Sequence, residues 1–173
     1  PKLDNLIMRI TDVWLAFPTF LLAIAIVAIL GPGLTNAMIA VGVASTPQYI
    51  RVVRGAVLSV KEQEYIAAAK ALGARNGRII LSHVLPNVMA PIIILSTLQF
   101  GSAILSAAGL SFLGLGVQPP TPEWGAMAFA SRSYIRQAIW MGIFPGVAIL
   151  LMVLGFNLLG DGLRDVLDPR MKQ

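Results

Sequence analysis

Three stretches of the chain carry no charged side chain: residues 13–50 (38 residues), 79–122 (44, with His83 neutral) and 137–160 (24). Each exceeds the roughly 20 residues that take a helix across a bilayer. Gly31, Pro32 and Gly33 cannot continue a helix and favour a turn. They divide the first run into two spans, at about 13–30 and 35–50. Gly114, Gly116 and the Pro119, Pro120, Thr121, Pro122 cluster interrupt the second run, leaving a span at about 88–110 and a loop at 111–137. The last span falls at about 138–159, followed by a polar tail at 161–173. This pattern predicts an all-α fold, a polytopic transmembrane helical bundle.

Residues 51–86 form the polar exception between the second and third spans. Arg51, Arg54, Lys61, Lys70, Arg75 and Arg78 supply six of the chain's 13 basic residues there. Four crossings place the N-terminus, this loop and the tail on one side, with 11 Lys and Arg against Arg132 and Arg136 on the other. The basic side reads as cytoplasmic. Splitting 79–122 into two spans gives 10 against 3, so charge leaves the topology open, and the Gly/Pro interruption favours four.

Inside the loop, Ser59, Val60, Lys61 and Glu62 have the form of a capping box, which predicts a helix starting near Val60. Tyr65, Ala68, Ala69 and Leu72 recur at i, i+3, i+4 and i+7, one apolar face, with Lys61, Glu62, Glu64 and Lys70 elsewhere. Gly73 is placed as the C-terminal cap. A second short helix at about 75–84 then leads to Leu85 and Pro86 at the membrane. A face built largely of alanine lets a partner's backbone approach closely.

Composition narrows the class. At 57% hydrophobic and 12% charged residues, the chain is too apolar for a water-soluble enzyme of 173 residues. No cysteine and one histidine argue against disulfides, thiolate metal sites and histidine-built metal centres. The net charge of +5 reads as basic loops held against anionic lipid, not as a nucleic-acid surface. No GxxxxGK[ST] element or Gly-Lys pair occurs, so ATP cannot be cradled here in the P-loop manner. The absence of charge within the spans disfavours a proton-coupled carrier. The start at Pro1, with no small-residue cleavage site after a short apolar stretch, is expected to belong to a longer chain.

Residues 64–73 (EYIAAAKALG), followed by Leu85 and Pro86, resemble the signature loop of ABC-importer permease subunits. Ala68, Ala69, Gly73, Leu85 and Pro86 match in register, while Ala67 stands where the pattern has Glu and His83 where it has Ile. Residues 108–125 (AGLSFLGLGVQPPTPEWG) resemble a segment of the C-type subunit in the dipeptide, oligopeptide and nickel permease group, and 162–170 (GLRDVLDPR) resemble its tail. Members of that group normally carry six spans, so the chain resembles the C-terminal part of such a subunit.

The resemblance implies a multi-pass subunit of a bacterial or archaeal cytoplasmic membrane. It would pair with a second permease subunit, line a path for peptides, nickel or a related solute, and dock two cytoplasmic ATPases that hold ATP and magnesium. An extracytoplasmic solute-binding protein would contact loop 111–137. The chain itself would hold no cofactor and catalyse nothing. The short helix would be the coupling helix, with Tyr65, Ala68, Ala69, Leu72 and Gly73 providing contact and turn. Glu62, Glu64, Lys70 and Arg75 would form its polar rim, and Leu85 and Pro86 would close the motif.

Other readings compete with these. His83 has no second histidine to form a metal or proton site with. Gly109, Leu110 and Ser111 superficially resemble an intramembrane serine protease motif, but the only histidine is predicted on the opposite face. Gly101, Gly109, Gly114 and Gly116 suit close helix packing. Pro18, Pro91 and Pro145 are candidate kinks, and Trp14, Trp124 and Trp140 are candidate interfacial anchors. Asp161, Asp165 and Asp168, interspersed with Arg164 and Arg170, read as a solvated tail and not a calcium loop. A stand-alone carrier or channel and a membrane scaffold remain as alternatives.

Overall fold

A computed structural model describes residues 2–167. Asp168 and Arg170 lie outside them, as does the part of the tail beyond 167. The described residues form helices α1 (Lys2–Leu15), α2 (Thr19–Leu30), α3 (Leu34–Lys61), α4 (Glu64–Ala71), α5 (Asn76–Ile79), α6 (Leu85–Phe112), α7 (Trp124–Ser131) and α8 (Trp140–Leu167). A π turn (Ile80–Val84) joins α5 to α6, and a 3-10 turn (Arg132–Tyr134) follows α7.

The stretch expected to form the first span, 13–30, is not one helix. α1 and α2 meet at 90° across the break before Thr19. Pro18 has no amide to donate, and the residue before a proline is pushed out of the α region. By contrast Pro47, Pro91 and Pro145 lie inside unbroken helices. α2 alone, at 12 residues, is about 18 Å long and short of the hydrocarbon thickness.

Among the described residues, two continuous helical stretches are long and apolar enough to cross a membrane, Asn76–Phe112 and Trp140–Val166, and the bent α1–α2 pair passes only if taken together. α3 is long enough, but Thr46, Gln48 and Tyr49 lower its apolarity. The separate helix expected at 75–84 is instead the continuous beginning of the α6 stretch. Leu85 donates to the Ile80 carbonyl, an i to i−5 bond. The π turn gives Pro86 room where its ring would clash with the carbonyl one turn back.

Small residues bring the helices together. Ala23 and Val27 of α2 meet Ala37, Ala40, Val41 and Ala44 of α3, and Leu110 of α6 closes the cluster. Between α6 and α8, a Cβ on Gly101 would lie 3.0 Å from Asn157 Oδ1, and Phe100 stacks on Phe156 at 5.4 Å. Gly109 faces the Phe20 ring in the same way. Large apolar side chains such as Leu150, Leu151 and Leu158 stay on the outside of α8, the pattern of a helix surrounded by lipid.

The return loop after α6 is built on polar closures. Gly114 has φ +79°, and the buried Ser111 Oγ accepts the Val117 amide at 3.2 Å. Glu123 caps α7 by accepting from the Gly125 and Ala126 amides at 2.9 and 2.8 Å. Arg132 lies 3.8 Å from the Phe129 ring centroid and 5.4 Å from that of Phe112, tying the end of α7 to the end of α6. His83 and Ser111 are 28 residues apart along one helical stretch, about 42 Å at 1.5 Å per residue. A serine protease pairing is therefore geometrically impossible within the chain.

Candidate coupling site in segment 62–86

The hairpin between α3 and α6 carries the predicted coupling residues. The expected capping box does not form: α3 runs through Ser59 to Lys61, Glu62 is its C-cap, and Gln63 precedes α4 with no side-chain cap. α3 is stabilised through Ser59 by neighbours in an already formed helix, so no helix start is needed there. α4 begins at Glu64, whose carboxylate suits the helix N-terminus, and Lys70 lies in its last turn.

The C-terminal end follows the expectation. Gly73 has φ +78° and donates to the Lys70 carbonyl at 2.9 Å, while Ala74 donates to that of Ala69 at 3.1 Å. This is a Schellman closure, and a Cβ at position 73 would be strained in it.

The apolar face divides in a way that the periodicity did not show. Ile66, 1% exposed, anchors α4 on Ile79, Val84 and Val88, and Ala69 and Ala74 pack partly against the same cluster. Ala69 thus turns toward the chain's own core, not wholly to a partner. Ala68, Tyr65 and Leu72 face outward, Leu72 at 87% exposure. Glu62, Glu64, Lys70 and Arg75 are all exposed around them, and Leu85 and Pro86 lie at the start of α6, exposed and apart from the buried cluster. Their contribution to the hairpin is its π-turned entry into α6.

Three further interactions have no local signal in the sequence. His83 lies beside Tyr65, ring centroids 6.2 Å apart, so it supports the outer face of α4. Arg54 holds Asp4 with bonds of 2.7 and 2.8 Å, and Arg51 holds Asp12 at 2.8 Å, strapping α1 to the lower half of α3. The Arg54 hydrogen bonds hold the Asp4 carboxyl below the usual carboxylate range and raise the guanidinium. A depressed carboxyl contributes above its ordinary pKa and loses that contribution only as pH falls through the lowered value, so the strap is complete at neutral pH. Opposite charges 50 positions apart, with no helical register between them, leave no local signal to find.

The family described as binding-protein-dependent transport system inner membrane component matches residues 1–173, the whole chain. The chain belongs to this family. It is 60% identical over 170 residues to a dipeptide transport system permease protein, DppC, of Alkalihalophilus pseudofirmus, covering 98% of the chain and 56% of the relative. It is 56% identical over 167 residues to a di/tripeptide transport system permease protein of Pseudomonas aeruginosa, covering 96% and 55%. A glutathione transport system permease protein, GsiD, of Shigella flexneri is 53% identical over 169 residues, covering 98% and 56%. The chain therefore spans about half the length of the curated permeases it matches. An all-α membrane architecture and the resemblance read from 64–86 and 108–125 agree with this membership.

Proposed function

We propose that the chain is the C-terminal membrane part of a permease subunit in an ATP-driven, binding-protein-dependent importer of small peptides. The observation that carries this reading is the closed α4 hairpin, which presents Tyr65, Ala68 and Leu72 outward on a base anchored by Ile66. An exposed leucine on a rigid, polar-rimmed helix suits insertion into a groove on another protein. Two ATPases holding ATP and magnesium would take it, so that their closure rocks the helices as rigid bodies. The chain itself would be non-catalytic.

A second permease subunit would complete the path, and an extracytoplasmic binding protein would deliver solute to loop 111–137. The basic loop and both ends of the chain would face the cytoplasm. The family's description as an inner membrane component and its binding-protein dependence support the membrane location and the binding-protein partner, and the excess of Lys and Arg on one side supports the orientation. Peptides are favoured over nickel because the similar permeases are named for dipeptides, di/tripeptides and glutathione.

Reconstitution tests it. The full-length subunit with its partner permease and ATPases in proteoliposomes is expected to import a labelled dipeptide only with binding protein and ATP present. Uptake driven by an ion gradient without ATPases would contradict the proposal and establish a stand-alone carrier.

A further inference from the structure

α3 and α6 place several polar side chains on the sides that line the clefts between them. Ser45, Gln48 and Tyr49 fall at i, i+3 and i+4 on α3, and Gln99, Ser102 and Ser106 at i, i+3 and i+7 on α6. The Gln99 side-chain amide donates to the Gln48 side-chain carbonyl across the two helices. Two open clefts of about 350 and 400 Å³ share Ser45 and Gln99, with Gln48 lining the second. Volumes of this size suit small-molecule sites.

The state of the polar groups separates a lined path from a packed seam. Ser45 bonds to the Val41 carbonyl and Tyr49 reaches Ser96, so these are satisfied within the protein. The glutamine pair is not. A primary amide offers two donors and a two-lone-pair acceptor. Joining one donor to one acceptor leaves the NH2 of Gln48 and the carbonyl of Gln99 without further partners among the described residues. Exchanging O and N in both amides still leaves one free donor group and one free acceptor. Both glutamines are partly exposed in the clefts, so their free groups are open to water, a partner or a solute.

We propose that Gln48 and Gln99 form a peptide-amide subsite in the solute path, the NH2 taking a solute carbonyl and the carbonyl taking a solute N–H. This rests on the importer reading and deepens it. Peptides present this donor and acceptor pair at each bond. The two clefts offer no carboxylate, imidazole or thiolate, so a bare divalent metal finds no ligand set in them.

The test uses the full-length subunit in the assembled transporter, with labelled dipeptide as the probe. Gln48→Leu and Gln99→Leu are each expected to lower uptake about tenfold, one lost hydrogen bond to solute, with assembly and ATPase retention unchanged. The double Gln48→Leu/Gln99→Leu variant decides the role. If the pair only fastens α3 to α6, replacing both partners by apolar groups restores uptake. If it lines the path, the double variant is impaired at least as much as either single one. Ser102→Cys adds a readout independent of uptake: a water-soluble thiol reagent is expected to label it, and excess dipeptide to slow the labelling. Restored uptake in the double variant, or no labelling at position 102, would overturn the subsite. Absence of dipeptide uptake by the unmodified transporter would instead overturn the peptide reading on which it rests.

Discussion

Replacing Leu72 by glutamate is expected to strip the ATPases from the assembled transporter and lower ATP-driven peptide uptake by roughly tenfold or more. The subunit's yield and thermal stability should stay unchanged. Leu72 is 87% exposed and belongs to neither buried cluster, so a carboxylate there remains in water while the subunit stands alone. Only when a partner's apolar groove covers it must the charge be desolvated, which is unfavourable. Co-purification and uptake measure the two halves of the effect.

Ile66→Glu supplies the contrast. Ile66 is 1% exposed on Ile79, Val84 and Val88, so its loss should unseat α4 from its base. Ala69 is a poor probe for the same reason, because a bulky residue there would disturb the chain's own packing before it met a partner. Undiminished ATPase retention with Leu72→Glu would remove Leu72 from the docking surface.

Gly125→Ala is expected to have the largest effect on stability. A Cβ at this position would stand 2.1 Å from the Ala108 carbonyl oxygen and 2.8 Å from that residue's Cα and carbonyl carbon. These are backbone atoms of α6 and cannot rotate aside. α7 must therefore move off α6, at a cost near or above the upper end of the ~1–3 kcal/mol typical of overpacking. A markedly lower Tm in detergent, or failure to accumulate, is the expected result. Gly146→Ala in α8, where a Cβ meets nothing within 4 Å, should leave Tm unchanged or raised. Equal Tm for the two variants would contradict the close α6–α7 approach.

Some of this was legible because it is written locally. The Gly31–Gly33 turn needs backbone that other residues rarely adopt, with φ of +90° and +143° at its two glycines, and the periodicity breaks there accordingly. Gly73 ends α4 by the same logic, and the motif spacing from Gly73 to Leu85 and Pro86 survives in the hairpin. Gly101 and Gly109 suit close helix packing by residue type alone, and Asn157 and Phe20 occupy the space their missing Cβ atoms leave.

What was illegible depends on tertiary context. The Ser59–Glu62 capping box is a sound local signal overridden by an α3 that was already helical. The division of α4 between Ile66 inward and Leu72 outward depends on where α6 passes, which a single helix period does not specify. Pro18 and Pro91 look alike in sequence, yet Pro18 breaks the chain by 90° and Pro91 rides inside α6. Gln48 and Gln99 lie 51 positions apart, and only the packing of α3 on α6 makes them a pair.

Cross-linking from single cysteines tests the coupling assignment most directly: residues 1–173 hold no cysteine, and any in the rest of the full-length subunit would be replaced by serine. A photoactivatable maleimide would be placed at Leu72→Cys or at Met141→Cys, an exposed position at the other end of the molecule near the start of α8. The full-length subunit would carry either one in membranes that contain the assembled transporter. The account predicts an ATPase adduct from position 72 and none from position 141. No ATPase adduct from 72, or equal adducts from both, would contradict it.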